Sequence, residues 1–235
     1  LEQIGAISEA VHRKNPRAVV MVDNCYGEFT DTREPVSVGA DIMAGSLIKN
    51  IGGGLAPTGG YVAGREECVA RVADRVGCPG IGAEAGSYAA SYRPFYQGLY
   101  MAPHTVMQAI RGAALCARAY ELAGYETSPA FDARRTDIIQ AIKLHSPEKM
   151  VAFCQALQAV SPIDSFARPE PDDMPGYADQ VIMAAGTFVS GASIELSADG
   201  PIREPYTIYW QGGLVYEQCR LAVKKTLEAV GVHGE

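Results

Sequence analysis

The sequence predicts an α/β domain followed by an α+β domain. Three observations carry that reading: short apolar runs at 18–22, 42–48 and 60–64 that stop at polar or glycine-rich positions, a long amphipathic helical pattern over 103–122, and a change of texture after it. At 235 residues, 48% of them hydrophobic and 20% charged, the chain carries enough apolar surface for one large domain or two modest ones.

Ile4, Ile7, Ser8 and Val11 sit at helical spacing, and the basic run His12-Arg13-Lys14 before Asn15-Pro16 ends that helix. The pattern is already under way at Leu1, which is not a methionine, so the chain reads as a fragment. Ala18 to Val22 is short, apolar and β-branched, the signature of a buried strand, and it stops at Asp23. Ile42 to Ile48 is a second such run, ending at Lys49, and Gly60 to Gly64 is a third, after a glycine-rich turn. Glu66, Glu67 and Arg71 read as a solvated helix face.

From Pro103 to Leu122 a helix places Val106, Ile110, Ala113, Ala117 and Tyr120 on one face and is closed by Gly124; His104, just after its start, reads as a local cap. Beyond it, Thr136 to His145 reads as a strand, and Ser146-Pro147-Glu148 opens a helix with Met150, Phe153, Cys154 and Leu157 inward. A proline-rich loop spans 168–176. Gln180 to Ala185, Ser193 to Ser197 and Tyr206 to Trp210 read as strands, and Val215, Cys219, Ala222, Thr226 and Val230 line a last helix. The first domain is therefore set at residues 1–125 and the second at 126–235.

The formal charge of -7, from 20 Lys plus Arg against 27 Asp plus Glu without a long run of either sign, argues against nucleic acid and anionic membrane as partners. No apolar run reaches the roughly 20 residues that cross a bilayer, and no signal pattern opens the chain, so the cytoplasm is the expected compartment. The six cysteines are scattered without a C-x-x-C pair, which suits buried reduced thiols, and the four histidines are too dispersed for a metal site.

In open α/β sheets ligands bind at the C-terminal ends of the strands, and Asp23 and Lys49 both stand there, 26 positions apart. A pyridoxal phosphate (PLP) enzyme needs an amine that forms a Schiff base with the cofactor aldehyde and an acid that keeps the pyridine nitrogen protonated. Asp23 and Lys49 meet both needs, and Ser46, three residues before Lys49, has a hydroxyl for the cofactor phosphate. On spacing alone, solvated surface residues are the commoner reading of such a pair. Gly52-Gly53-Gly54 and Gly59-Gly60 offer a phosphate cradle, but no Gly-Lys-Ser or Gly-Lys-Thr follows them, so a P-loop is absent.

The wording of the whole stretch adds to this. V-D-N-C-Y-G-E-F from Val22, G-A-D-I-M-A-G-S-L-I-K-N from Gly39 and G-G-Y-V-A-G from Gly59 resemble, in this order, the cofactor segment of the cystathionine and methionine gamma-lyase class. The run G-G-G-L-A-P-T-G-G from Gly52 and R-E-P-Y-T-I-Y-W-Q-G-G-L from Arg203 are similar to its bacterial branch called methionine gamma-lyase-like or aluminium resistance proteins. The resemblance implies a PLP-dependent transferase fold of type I (aspartate-aminotransferase-like), with the C-terminal part of the large domain followed by the α+β small domain. It implies Lys49 as the Schiff-base lysine, Asp23 as the partner of the pyridine nitrogen and Ser46 as a phosphate ligand. The implied reaction is carbon-sulfur bond cleavage by β- or γ-elimination on a sulfur-containing amino acid. In it the freed Lys49 amine takes the α-proton, its pKa lowered by positive and desolvated surroundings.

Departures from the family pattern matter. The N-terminal part of such proteins, with the main phosphate-binding glycine turn and a stacking aromatic, is not in this chain. The Arg that the better-known gamma-lyases carry in a late strand is replaced by Thr207-Ile208-Tyr209-Trp210, leaving Arg203 as the nearest candidate for the substrate carboxylate, or as a surface residue. The implied assembly is a homodimer or homotetramer, and Tyr88, Tyr92, Tyr96 and Tyr100, recurring every four residues, suit a subunit contact or an active-site mouth. Transamination, aldolase-like cleavage and a truncated non-catalytic subunit are the alternatives.

Overall fold

A computed structural model describes residues 1–232 and divides into two compact units, Leu1–Ala102 and Pro103 onward. In the first unit, α1 (Glu2–Lys14) forms where the apolar spacing predicts it, with His12, Arg13 and Lys14 in the last turn, where positive charge complements the helix dipole. The strands β1 (Met21–Asp23), β2 (Ile42–Ser46) and β3 (Gly60–Gly64) form one sheet in that order, β1 parallel to β2 and β3 antiparallel to it. Helix α2 (Glu66–Val76) follows. The first strand is shorter and more open than the buried run expected from the sequence: Val19 is 52% and Met21 62% exposed. It is an edge strand, so its side chains gain cover from one neighbour only.

Asp41, at the entry to β2, fastens the ends of these elements together. Its carboxylate accepts from the Val20 backbone N–H at 2.7 Å, from the His12 ring at 2.8 Å and from the Arg65 guanidinium at 2.8 Å. Burial opposes its charge, but these three donors outweigh burial and hold its pKa at about 2.

Helix α3 (Arg93–Leu122) is 30 residues long and has Pro103 inside it, not at its start. His104 is therefore a mid-helix residue bonded to Gln108 at 3.3 Å, and the reading of it as a cap is corrected. The first turns of α3 lie against the glycine-rich turn so closely that a Cβ at Gly98 would overlap the Gly52 carbonyl. Gly52 and Gly53 thus serve a close backbone approach to a helix.

In the second unit, β4 (Glu126–Ser128), β5 (Ile139–Lys143), β6 (Val181–Ala184), β7 (Ser197–Pro201) and β8 (Thr207–Gln211) form an antiparallel sheet of order β4-β5-β8-β7-β6. The helices α4 (Pro147–Ala159) and α5 (Tyr216–Ala229) complete it. Ser146 caps α4 as its sequence suggests, its hydroxyl accepting the Lys149 N–H at 3.2 Å. Met150, Phe153, Cys154 and Leu157 are buried as expected, in one core with Trp210 and Cys219. Cys116 and Tyr120 of α3 belong to that core, so the division between units falls inside α3, whereas the sequence reading sets it after residue 125.

The strand expected at 193–197 is not there. Ile194 and Leu196 are buried and mimic a strand, but Leu196 has φ 72° and the Gly213 N–H bonds back to the Ile194 carbonyl at 2.8 Å, so this is a turn and β7 begins only at Ser197. All six cysteines are free, and Cys116, Cys154 and Cys219 are buried. Among the described residues no helix is long and apolar enough to cross a membrane, and no group of three His, Cys, Asp or Glu is placed to hold a metal.

Candidate active site

The parallel pairing of β1 and β2 decides where the candidate residues meet. Asp23, the last residue of β1, lies in register with Ala44, and Lys49 follows the end of β2 by a tight turn in which its N–H bonds the Ser46 carbonyl at 3.3 Å. The two strands run side by side in one direction, so both residues leave the same edge of the sheet, and each acts electrostatically on the other. The Ser46 backbone faces the Cys25 thiol of the same cluster.

Asp23 Oδ1 accepts the Cys25 backbone N–H at 3.0 Å. That bond, a second from the Cys25 side chain and the charge of Lys49 lower its pKa against a small desolvation effect, so this carboxylate stays ionised at neutral pH. Lys49 Nζ lies over the Tyr26 ring, 4.5 Å from its centroid. Burial pulls the Lys49 pKa down, but Tyr26, Cys25 and Asp23 together raise it above the ordinary lysine value. Without cofactor the Lys49 pKa thus lies on the high side of the ordinary value; the lowering expected of the freed amine belongs to the loaded site.

Beneath this pair the segment after β1 folds into a turn that sequence reasoning overlooked. Tyr26 and Phe29 adopt φ of 72° and 60°, a left-handed backbone that side chains rarely take. Asn50 anchors the turn, its side-chain amide donating to the Tyr26 and Glu28 carbonyls at 3.0 and 3.1 Å. Burial pushes the Glu28 carboxyl up to about 7, and burial beside Glu28 raises the Tyr61 hydroxyl further from its ordinary value. The only sequence signal for Tyr26 and Glu28 was the turn-forming Asn24-x-x-Gly27, which says nothing of chemistry. Arg203 belongs to the other unit, where it is exposed and pairs with Asp179 at 3.4 Å.

The family described as Methionine gamma-lyase matches residues 1–231. The chain is 50% identical over 230 residues to the YnbB protein of Bacillus subtilis (strain 168), covering 98% of this chain and 55% of that protein. It is similar to the solved structure of a carbon-sulfur lyase involved in aluminum resistance from Clostridium novyi NT, at 52% identity and a TM-score of 0.93, covering 97% of this chain and 54% of that one. The chain thus spans about half the length of these relatives. The methionine gamma lyase CalE6 of Micromonospora echinospora, 14% identical with a TM-score of 0.57 over 97% of this chain and 58% of that one, shares the fold. By a match that runs over nearly its whole length, this α/β chain belongs to the methionine gamma-lyase family.

Proposed function

We propose that this chain supplies the lysine-bearing part of the active site of a PLP-dependent carbon-sulfur lyase that cleaves a sulfur-containing amino acid by β- or γ-elimination. The observation that carries the reading is Lys49 beside an Asp23 held in its ionised form by Cys25. An acid that stays charged and a primary amine within its electrostatic reach are what the pyridine nitrogen and the aldehyde of this cofactor require, so the residues fit the group. The placement of the pair at the C-terminal edge of a β1-β2-β3 sheet accords with the large domain of a type I fold, with the second unit as its small domain.

When bound, PLP supplies an electron sink for the substrate α-carbon. Lys49 Nζ would hold it and would serve as the base for the substrate α-proton. Asp23, held in its ionised form by Cys25, would keep the pyridine nitrogen protonated. Ser46 is assigned to the phosphate and Arg203 to the substrate carboxylate, with the protein assembled as a homodimer or homotetramer. The similarity to the Clostridium novyi carbon-sulfur lyase supports the reaction class.

The test is borohydride reduction of the whole protein with PLP, followed by peptide mapping and an assay for released thiol. Cofactor fixed on the Lys49 peptide, and lost together with thiol release in Lys49→Ala, is the expected result. Cofactor on any other lysine overturns the assignment.

A further inference from the structure

The turn after β1 buries a carboxyl group for which the proposed chemistry has no use. Glu28 is 1% exposed. Its Oε1 accepts the Tyr61 hydroxyl at 3.0 Å, and its Oε2, equally shielded, has no hydrogen-bond partner among the described residues. Glycine at residue 45 leaves the carboxyl its room, since a Cβ there would stand 2.6 Å from Glu28 Oε1 and 2.6 Å from Tyr61 Cε1 and force one of them to shift. Asn50, the residue after Lys49, donates to the carbonyls of both Tyr26 and Glu28, which ties the Glu28 turn to the turn that carries the amine.

An ionised carboxylate with an orphaned oxygen away from water is far costlier than a neutral carboxyl in the same place. Burial and Glu34, from the loop after β1, oppose the charge of Glu28; its own backbone N–H, Tyr61 from β3 and Lys49 from the turn after β2 favour it. Lys49 is faced in turn by Tyr26, Cys25 and Asp23. Glu28 therefore titrates near neutral pH beside an amine that stays charged there, and its ionisation adds a negative charge within reach of that amine.

We propose that Glu28, lodged between Tyr61 and Gly45 and joined through Asn50 to the turn of Lys49, is a positioning residue of this site: its carboxyl carries a proton in the resting protein and, on releasing it to solvent, tightens the hold of the Lys49 ammonium on its own proton. The proposal rests on the reading of Lys49 as the reactive amine, and its test uses the protein without cofactor.

The rate at which acetic anhydride acylates Lys49 is followed by peptide mass spectrometry between about pH 5 and 10, with the Lys14 peptide as internal reference. In the unaltered protein, log rate should climb with unit slope, interrupted near neutral pH by a downward step of about three- to tenfold as Glu28 ionises. Glu28→Gln keeps the shape and the bond to Tyr61 but has no charge to gain, so its line should be unbroken. Tyr61→Phe removes a donor that favours the carboxylate, so its step should move to higher pH, which also serves if Glu28→Gln does not fold. Superimposable curves for the three proteins, or no step in the unaltered one, overturn the proposal. Cofactor found on another lysine while the step persists would instead sink only the proposed function; cofactor on Lys49 without a step sinks only the coupling.

Discussion

The Lys49 ammonium rests on the face of Tyr26, 4.5 Å from the ring centroid, and Tyr26 reaches that position with a left-handed backbone at φ 72°. A strained residue lies beneath the candidate amine, and Tyr26 heads the influences that raise the Lys49 pKa against burial, ahead of Cys25 and Asp23.

Tyr26→Phe keeps the aromatic face and removes the hydroxyl. The pKa of Lys49 should fall, and acylation of Lys49 at a fixed pH near 8 should quicken as the share of free amine grows. An unchanged rate would show that the hydroxyl does not act on the amine.

Asp41→Asn removes the charge that Val20, His12 and Arg65 hold in place. A carboxyl depressed from 3.8 to about 2 contributes stability that is fully present above its ordinary pKa and lost as pH falls from about 4 towards 2. The substitution should cost about 1–2 kcal/mol at pH 7, below the full value because His12 and Arg65 are partly in solvent, and less at pH 2. Urea denaturation at the two pH values measures both.

Gly45→Ala places a methyl group where Glu28 Oε1 and Tyr61 Cε1 already stand 2.6 Å away. Overpacking of this kind should cost about 1–3 kcal/mol. It should also displace Glu28 from Tyr61. Chemical denaturation midpoints give the first, and the pH dependence of Lys49 acylation the second. An unperturbed midpoint would mean that the sheet spreads to accept the group.

Arg203 is exposed and holds only a 3.4 Å pair with Asp179, so Arg203→Ala should change stability by less than about 0.5 kcal/mol. If it serves the substrate carboxylate in the whole protein, KM for the amino acid should rise tenfold or more, the size of a lost hydrogen bond to a charged group of about 1.5–3 kcal/mol. An unaltered KM would leave it a surface residue.

What the sequence determined by itself is local. The periodic apolar faces of α1, α4 and α5, the Ser146-Pro147 start of α4 and the Gly124 close of α3 depend on contacts within a few residues, and they stand where the spacing put them. The apolar runs ending at Asp23 and Lys49 were legible for the same reason, as was the match to one family. Where α3 begins was not legible, because the reach of ten residues before Pro103 is supported by the distant glycine turn at 52–53. Nor was the turn at 193–197, whose buried Ile194 and Leu196 look like strand until Leu196 takes a left-handed backbone. Nor was what surrounds Lys49, because Tyr26 and Cys25 fold back beneath a lysine that follows them by more than twenty positions and raise its pKa in the chain without cofactor. Only the parallel pairing of β1 with β2 brings those groups together, and pairing between strands is a long-range choice that no local pattern contains.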